Sequence, residues 1–324
     1  MILNVSDLSL TLKGNRGYVK ILDGINFSLE KGETLGIVGE SGCGKSMTAL
    51  SIMRLLPEKA KLSGDISFEG LSINKFSKRK MEAIRGHNVS MIFQDPLTSL
   101  NPLHTVGKQI EESLILHMKL TKKERMQRVV ELLKEVGLPR AEELINEYPH
   151  QLSGGMRQRV MIAIAMACRP KLLICDEPTT ALDVTVQAQI LELMNGLKKE
   201  NDMSIIMITH DLGVVAEVCD RIVVMYAGKV VESAPVKELF KHPKHPYTKG
   251  LMMAIPKMGT RKQPLGSIPG TVPSPEEMPA GCRFAERCPF AMEVCHTKEP
   301  PLTTFTNDHS TSCWLFDEKE VVSQ

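Results

Sequence analysis

The sequence predicts an α/β fold in which helices cover a mainly parallel β-sheet. Short apolar segments such as residues 34–38 have the composition of strands that are buried on both faces of a sheet. From residue 172 onward, strand-like and helix-like segments alternate, which is the pattern of repeated strand–helix–strand units. With 324 residues, of which 42% are apolar, the chain can bury a sizeable core and form about two domains.

The charge and the hydropathy pattern exclude some classes of protein. The 40 basic and 38 acidic residues give a net charge of +2, a smaller basic excess than nucleic-acid-binding proteins usually have. No nucleic-acid partner is therefore expected. The sequence has no uninterrupted apolar run of about 18 residues, and its start lacks the pattern of a secretory signal. These features predict a chain without a membrane span that works in the cytoplasm.

The first part of the chain alternates apolar and polar residues, which predicts antiparallel strands within residues 1–30. A turn between them is predicted from three residues: Gly14, Asn15 and Gly17. The next apolar run, residues 34–38, ends at a glycine and predicts a buried parallel strand. A helix is expected from Lys45 to about Leu56, where a proline follows.

Helical periodicity dominates residues 105–136, where apolar residues recur every three or four positions. The basic stretch inside it, residues 119–128, is predicted to be a solvated helix face. Two short strands are expected before this region, at residues 64–68 and 89–93. After it, strands and helices alternate in five predicted segments: residues 172–175, 187–199, 204–209, 212–218 and 222–226.

Residues 39–46 fit the phosphate-binding pattern G-x-x-x-x-G-K-[ST], and they follow a predicted buried strand and open a predicted helix. The glycines let successive backbone N–H groups turn toward one anion at the helix N-terminus. Lys45 can reach the β- and γ-phosphates of a nucleotide, and the hydroxyl of Ser46 can ligate Mg²⁺. The predicted nucleotide-binding residues are the loop and the residue after it: Gly39, Glu40, Ser41, Gly42, Cys43, Gly44, Lys45, Ser46 and Met47.

Two carboxylates follow the predicted strand at residues 172–175. Asp176 can hold Mg²⁺, and Glu177 can orient or deprotonate an attacking water molecule. Both would lie at the carboxyl end of a parallel strand, where ligand sites of α/β proteins form. Because an Asp-Glu pair after a strand is common on protein surfaces, this prediction depends on its occurrence together with the phosphate loop.

The sequence LSGGMRQR at residues 152–159 lies just before that strand. Ser153 is predicted to cap a helix, and the following Gly154 and Gly155 leave the helix N-terminus open to an anion. Taken alone, this sequence is also consistent with an ordinary capped helix.

The phosphate loop, the LSGG sequence and the strand ending in Asp-Glu occur in the order found in ATP-binding cassette (ABC) ATPases, and residues 1–240 resemble that family. The usual family signature is LSGGQ, from which this chain departs at Met156. The resemblance implies an ABC-type P-loop NTPase with a RecA-like parallel sheet core, an antiparallel β subdomain and a helical subdomain at about residues 96–155. It also implies that ATP and Mg²⁺ bind to the chain.

The resemblance implies roles for residues outside these motifs. Gln94 matches the Q-loop glutamine, which senses the γ-phosphate and the metal, and Asp183, in Ala181-Leu182-Asp183, matches the D-loop aspartate. His210 matches the switch histidine that contacts the γ-phosphate. Tyr18 is a candidate for stacking on adenine, although packing within a strand would explain it equally well.

In ABC ATPases the signature of one subunit closes over the nucleotide bound to the other subunit. A second ABC ATPase subunit, identical or related, is therefore implied, and its ATP would be contacted by Ser153, Gly154 and Gly155. Nucleotide binding would close the interface, and hydrolysis would open it. The implied catalytic residues are Glu177 and His210, and the implied Mg²⁺ ligands are Ser46, Gln94 and Asp176.

Prolines are concentrated after Ala234, and residues 241–324 are predicted to form a small appended module. Within it, residues 256–279 predict an irregular loop. His242 and His245 are three residues apart, which allows a metal site but fits a loop or helix-cap role better. Three segments resemble the C-terminal tail of oligopeptide and dipeptide importer ATPases: residues 244–251, 268–270 and 281–284.

Four cysteines lie in this module without the close C-x-x-C pairs of a zinc ribbon: Cys282, Cys288, Cys295 and Cys313. Four thiolates can bind either Zn²⁺ or an iron–sulfur cluster, and free buried thiols are a third interpretation. The resemblance to importer tails favours a 4Fe–4S cluster with a structural role. The other cysteines are expected to be small apolar fillers: Cys43, Cys168, Cys175 and Cys219.

The resemblance implies an ATP-hydrolysing subunit of a di- or oligopeptide importer, peripheral at the cytoplasmic face of the membrane. Integral-membrane permease subunits would dock near residues 94–150, and an extracytoplasmic peptide-binding protein would supply substrate. An importer of nickel or metal chelates is the alternative within this class. A soluble ABC ATPase of DNA repair or translation is the alternative from another class, but neither long coiled-coil insertions nor a second cassette is present.

Overall fold

The structure of the chain is a computed structural model that describes residues 1–14, 17–180, 182–254, 268–306 and 308–317. Some residues of the predicted segments lie outside this part of the chain. They are Asn15 of the predicted turn, Ala181 of the predicted D-loop, and residues 256–267 of the predicted irregular loop.

Strands occupy both halves of the chain, and their bounds are β1 (Leu3–Gly14), β2 (Gly17–Leu29), β3 (Thr34–Val38), β4 (Lys61–Phe68), β5 (Leu71–Ser72), β6 (Val89–Ile92), β7 (Leu172–Asp176), β8 (Ser204–Thr209), β9 (Arg221–Tyr226), β10 (Lys229–Pro235), β11 (Leu302–Thr306) and β12 (His309–Ser312). The helices are α1 (Lys45–Ile52), α2 (Lys78–Ile84), α3 (Pro96–Ser99), α4 (Val106–His117), α5 (Lys122–Glu135), α6 (Ala141–Leu144), α7 (Gly154–Met166), α8 (Val184–Asn201), α9 (Leu212–Val218), α10 (Val236–Lys241), α11 (Pro246–Met253) and α12 (Glu293–Thr297). The predicted strands and helices are present, most of them with shifted ends, whereas β3, β8 and α9 have the predicted bounds.

The chain divides into two compact units. The first unit contains residues 1–2, 29–33 and 71–208, and the second contains residues 3–28, 34–70 and those from 209 onward. Both units therefore include segments from distant parts of the sequence.

In the first unit, β6, β7 and β8 are parallel neighbours, with β7 in the middle. All five residues of β7 are buried, as expected for a parallel strand covered on both faces. Because the strands run in the same direction, the residues that follow β6 and β7 lie at the same edge of the sheet. This edge carries Gln94 and Glu177.

The helices of the first unit pack through the predicted apolar positions, and Ile110 of α4 and Leu133 of α5 are fully buried. The predicted helical region is interrupted between α4 and α5, within the basic stretch. There the side chain of Thr121 accepts a hydrogen bond from the N–H of Glu124, whose carboxylate accepts one from the N–H of Thr121. This capping box satisfies two backbone donors and starts α5, so the predicted helix face is present at residues 122–128 and absent at residues 119–121.

Helix α1 also ends earlier than predicted, at Ile52 instead of about Leu56. The cause is a local C-terminal motif. Arg54 adopts a φ of 51°, its N–H donates to the carbonyl of Ser51, and the N–H of Leu55 donates to that of Leu50. This is the Schellman arrangement, which closes the helix before the proline is reached.

In the second unit, β3 and β9 are parallel, and β10 extends this sheet as the antiparallel neighbour of β9. Strand β12 pairs with β10, and β11 pairs with β12, both antiparallel. The C-terminal region therefore adds strands to the sheet that carries β3. In the same unit, β1 pairs antiparallel with β4, and β2 lies next to β1.

An aromatic cluster joins the C-terminal region to this sheet. The rings of Tyr226, Tyr247 and Phe284 have centroids 4.7 to 5.4 Å apart. Buried His245 caps α11, because its Nδ1 accepts a hydrogen bond from the N–H of Tyr247 at 3.0 Å. This geometry confirms the predicted cap role of His245, and burial lowers the pKa of its imidazole to about 3.

The depressed pKa of His245 predicts that acid destabilises this region. Between the usual histidine pKa of about 6.5 and a pKa of about 3, the unfolded state binds one more proton than the native state. The free energy of unfolding should therefore fall by about 1.4 kcal/mol per pH unit as the pH drops below about 6.5. Replacing His245 with Asn keeps a capping side chain and should remove this slope in unfolding titrations from pH 7.5 to about 5. Exposed His242→Asn is the matched control and should keep the wild-type slope, whereas equal slopes in H245N and wild type would contradict the assignment.

Candidate nucleotide-binding site

The phosphate loop, residues 39–46, connects β3 to α1 in the second unit. Its glycines are required by geometry at two positions. Gly39 has a φ of 155°, and a Cβ there would lie 2.2 Å from the carbonyl oxygen of Met225. Gly44 caps α1 with a φ of 104°, and its Cβ would lie 2.6 Å from Leu22. The loop therefore packs directly against β9 at Gly39 and against β2 at Gly44, with no space for a side chain at either position.

The Lys45 side chain folds into this loop. It is buried, and its Nζ donates hydrogen bonds to the carbonyls of Gly39 at 2.7 Å and Glu40 at 3.1 Å. In front of the loop, a Cβ on Gly42 would meet nothing within 4 Å. A buried ammonium group, a helix N-terminus and open space beside a glycine together fit a phosphate group.

Glu40 connects this loop to the C-terminal region. Its backbone N–H donates to the hydroxyl of Tyr247 at 2.8 Å, and its carboxylate forms two hydrogen bonds with the guanidinium of Arg287, at 2.7 and 3.0 Å. These bonds raise the pKa of Arg287 above its usual value, and burial raises that of Tyr247. The sequence analysis missed both partners, because no local pattern relates positions about 200 residues apart.

In the first unit, the structure brings Gln94 and Glu177 together. The Nε2 of Gln94 donates to Oε2 of Glu177 at 3.0 Å, and the hydroxyl of Thr180 donates to the same oxygen at 3.0 Å. Glu177 adopts a φ of 49°, and its N–H donates to the carbonyl of Ile208. Its carboxylate is thus held at a fixed orientation at the end of β7, whereas Asp176 beside it is buried. Thr180 was not predicted, although a threonine three residues after the glutamate is a plausible hydrogen-bond donor.

The signature serine is the N-cap of α7, as predicted. The Ser153 hydroxyl accepts a hydrogen bond from the backbone N–H of Met156 at 3.3 Å. Because only the main chain of Met156 takes part, its departure from the family glutamine leaves this cap intact. A Cβ on Gly155 would lie 3.0 Å from Val186, while a Cβ on Gly154 would meet open space.

Asp183 starts the neighbouring helix in the first unit. It is the N-cap of α8, and its carboxylate accepts a hydrogen bond from the N–H of Val186 at 3.0 Å. The side chain of the same Val186 packs next to Gly155 of α7, 3.0 Å from where a Cβ on that glycine would lie. Val186 therefore contacts both Asp183 and the start of α7, which places these two segments side by side.

Two predicted site residues of the second unit are exposed. His210 follows β8 directly, and the carboxylate of the next residue, Asp211, caps α9 through the N–H groups of Gly213 and Val214. Tyr18 on β2 is half exposed, and the ammonium of Lys61 lies 3.8 Å from the centroid of its ring. One face of the Tyr18 ring is thus already used in a cation–π contact.

Known families match two parts of the chain. Residues 22–180 match the family described as ABC transporter, and residues 231–295 match the oligopeptide/dipeptide transporter C-terminal region. The oligopeptide transport ATP-binding protein AppD of Bacillus subtilis is 52% identical over 98% of this chain and 98% of its own length. The chain belongs to the ATP-binding proteins of ABC transporters.

Other relatives agree with this assignment. The probable peptide ABC transporter ATP-binding protein y4tR of Sinorhizobium fredii is 50% identical over 98% of this chain and 96% of its own length. Among solved structures, the dimeric structure of MJ0796, a bacterial ABC transporter cassette, aligns with a TM-score of 0.66 and 30% identity, covering 72% of this chain and 99% of that one. This likeness confirms the predicted ABC-type fold.

None of the helices described for this ABC protein has the length and the apolar character needed to cross a bilayer.

The ABC protein carries its four C-terminal cysteines in one part of the second unit, which we call the cysteine lobe (residues 281–306 and 308–317). All four are free thiols. Burial and the charges of the neighbouring thiolates raise the pKa of Cys282 to about 11 and that of Cys313 to about 12. Within the described residues, however, no group of three or more His, Cys, Asp or Glu side chains is arranged to hold a metal ion. The arrangement therefore does not support the predicted metal centre.

The remaining cysteines agree better with their predicted role. Cys43, Cys168 and Cys175 are buried, and Cys219 is half-buried against the core of the second unit. Burial raises the pKa of Cys43 and that of Cys168, the latter to about 11, which keeps these thiols protonated at neutral pH.

Gly39, which is tightly packed, and Gly42, which faces open space, should respond differently to the same substitution. Gly39→Ala places a Cβ 2.2 Å from a backbone oxygen, whereas Gly42→Ala meets no atom within 4 Å and is strained only by its φ of 79°. We expect G42A to lower the free energy of unfolding by about 1–2 kcal/mol and G39A to lower it by clearly more. Denaturant unfolding monitored by circular dichroism measures both values. Equal losses in the two variants would show that the contact with Met225 does not constrain the loop.

Proposed function

We propose that this chain is the ATP-hydrolysing subunit that powers import of di- or oligopeptides through an ABC transporter in the membrane. The observation that carries this proposal is the match of residues 231–295 to the C-terminal region of peptide transporters, together with about 50% identity to peptide-transport ATP-binding proteins over nearly the whole chain. The reaction is the hydrolysis of ATP by water to ADP and phosphate.

In this proposal the phosphate loop and Lys45 bind the phosphates of ATP. Ser46, Gln94 and Asp176 would hold Mg²⁺, and hydroxyl, amide and carboxylate oxygens are the ligands that this ion prefers. When bound, the ion neutralises part of the phosphate charge. Glu177 receives the proton of the attacking water, and its hydrogen bonds from Gln94 and Thr180 support a fixed orientation for that step.

The remaining roles follow the family resemblance. His210 would contact the γ-phosphate, and Tyr18 would stack on adenine with the ring face that Lys61 leaves open. The signature residues Ser153, Gly154 and Gly155 would contact ATP held by a second ABC subunit, with Asp183 beside them, and the helix N-terminus after Ser153 suits an anion. The similar dimeric cassette structure supports such a pairing.

The proposed division of the chain and its partners follow from the same family. Residues 1–240 would form the ATPase domain, with the helical subdomain at about residues 96–155, and residues 241–324 the C-terminal module. The subunit would bind integral-membrane permease subunits at the cytoplasmic face, near residues 94–150, and serve an extracytoplasmic peptide-binding protein indirectly. The test is uptake by the complete transporter in vesicles, with labelled peptides compared against metal chelates. Chelate uptake without peptide uptake would refute the peptide assignment.

The role of Glu177 predicts the behaviour of Glu177→Gln. This variant keeps the shape and the hydrogen-bonding oxygen of the side chain but removes the proton acceptor. ATP turnover by the transporter complex should fall by roughly 10²- to 10⁴-fold, while ATP still binds and accumulates in a closed dimer. Exposed Glu192→Gln on α8 is the matched control and should keep wild-type turnover. Near-normal turnover in E177Q would eliminate Glu177 as the catalytic base.

We also propose that the cysteine lobe binds a 4Fe–4S cluster, with Zn²⁺ as the alternative. Support comes from the donor set, because the other three thiols of the lobe lie close enough to Cys313 to contribute to raising its pKa. The thiols would have to lose their protons and move together, since the described side chains form no metal-holding group as they stand.

Metal analysis of protein purified without oxygen tests this proposal. A cluster predicts about four iron atoms and four sulfides per chain and absorption near about 400 nm, whereas zinc predicts a colourless protein with one metal ion. Cys295→Ser should lose the bound metal, and Cys168→Ser, a buried cysteine outside the lobe, should keep it. Wild-type protein that contains neither iron nor zinc would reject the metal site and leave the free-thiol interpretation.

A further inference from the structure

Every polar group of Glu40 in the phosphate loop is engaged within the second unit. Its N–H donates to the hydroxyl of Tyr247 at 2.8 Å, and its carbonyl accepts from Nζ of Lys45 at 3.1 Å. Its two carboxylate oxygens accept hydrogen bonds from Nη1 and Nη2 of Arg287. Of the three partner residues, Tyr247 and Arg287 belong to the C-terminal region. The loop is therefore held in part by residues outside the nucleotide-binding motif.

The guanidinium of Arg287 is also held by partners other than Glu40. Its side chain is only 7% exposed, and its Nε donates to the carbonyl of Pro269 at 2.8 Å. Its Nη1 also donates to the hydroxyl of Tyr226 at 3.2 Å, and its Nη2 to the carbonyl of Ile268 at 3.3 Å. A bidentate arginine with this many partners is a rigid support, unlike an exposed ion pair that contributes little.

Arg287 also belongs to the cysteine lobe. It ends the short 3₁₀ turn Ala285–Arg287, which lies between Cys282 and Cys288. Ala285 of that turn packs with buried Cys295 and Trp314. The position of the Arg287 side chain is therefore set by the packing of the lobe.

We propose that Arg287 and Tyr247 are positioning residues that hold the phosphate loop, through Glu40, in the geometry that binds ATP. The inference rests on the proposed function, in which this loop binds ATP. A loop rich in glycine loses conformational entropy when it closes on a ligand, and a loop held in advance loses less. The C-terminal region thereby raises the affinity of the site for ATP. A structural change in the cysteine lobe would alter the phosphate loop through the contact between Arg287 and Glu40.

The experiment is a double-mutant cycle on the full-length chain, with binding of a fluorescent ATP analogue as the readout. Arg287→Gln and Glu40→Gln should each weaken binding by about tenfold, within the roughly 5- to 150-fold range of coupling between protein sites. The double variant should bind no more weakly than either single variant, because both remove the same interaction. Arg287→Lys should lie in between, since lysine keeps the charge but not the bidentate geometry.

Two further variants separate positioning from stability. Tyr247→Phe keeps the ring in the aromatic cluster and removes only the oxygen that accepts from Glu40, and we expect several-fold weaker ATP binding. Thr121→Ala removes the capping box of α5, which belongs to the first unit and shares no element with the phosphate loop or the C-terminal region. This control should lower the melting temperature and leave the Kd for ATP unchanged.

Wild-type affinity in both R287Q and Y247F would overturn the inference, as would R287Q and E40Q effects that simply multiply in the double variant. An equal loss of affinity in T121A would also overturn it, because general destabilisation would then explain the result. If the wild-type chain binds no ATP, the proposed function itself fails, which is a distinct outcome of the same measurement.

Discussion

The close approach of Gly39 to the carbonyl of Met225 is the constraint on which the nucleotide site depends. Strands β3 and β9 pair in parallel, and this pairing places the end of β9 directly behind the start of the phosphate loop. With no space for a Cβ, the chain must turn outward at Gly39 and curl into α1. Lys45 then folds back onto the loop carbonyls. The pairing of β3 with β9 thus constrains the backbone path of the loop, and this path determines where a phosphate can bind.

A change in backbone conformation separates the two adjacent carboxylates at the end of β7. Asp176 still belongs to the strand and is buried, whereas Glu177 leaves it with a positive φ and turns its side chain toward Gln94 and Thr180. In the proposed site the buried carboxylate of Asp176 would hold the cation, because carboxylate oxygens are ligands that Mg²⁺ prefers. A partly exposed carboxylate held by two donors is suited to water. The backbone change at one residue therefore gives the two neighbouring carboxylates different environments.

Local patterns predicted most of the elements and the core of the site. Strand β3 and helix α9 have their predicted bounds, and the cap roles of Ser153 and His245 are confirmed. These features depend on neighbouring residues, so a short stretch of sequence contains the information. The break before α5 could also have been predicted, because Thr121 and Glu124 have the spacing of a capping box. The contact of Arg287 with Glu40 could not, since it depends on how β9, α11 and the cysteine lobe pack. Cysteine spacing likewise does not specify where four sulfur atoms lie.

The C-terminal region is continuous with the sheet of the second unit, and this has a physical consequence. Buried Glu232 on β10 accepts hydrogen bonds from the N–H groups of Lys244 and His245 and from the ring of His309 on β12. Loss of this carboxylate would leave two buried donors and one partly buried donor without this acceptor, which would destabilise both the start of α11 and β12. Because α11 carries Tyr247, whose hydroxyl accepts a hydrogen bond from the N–H of Glu40, this disturbance would extend to the phosphate loop. The region that matches the peptide-transporter family and the phosphate loop are therefore joined by hydrogen bonds within the second unit.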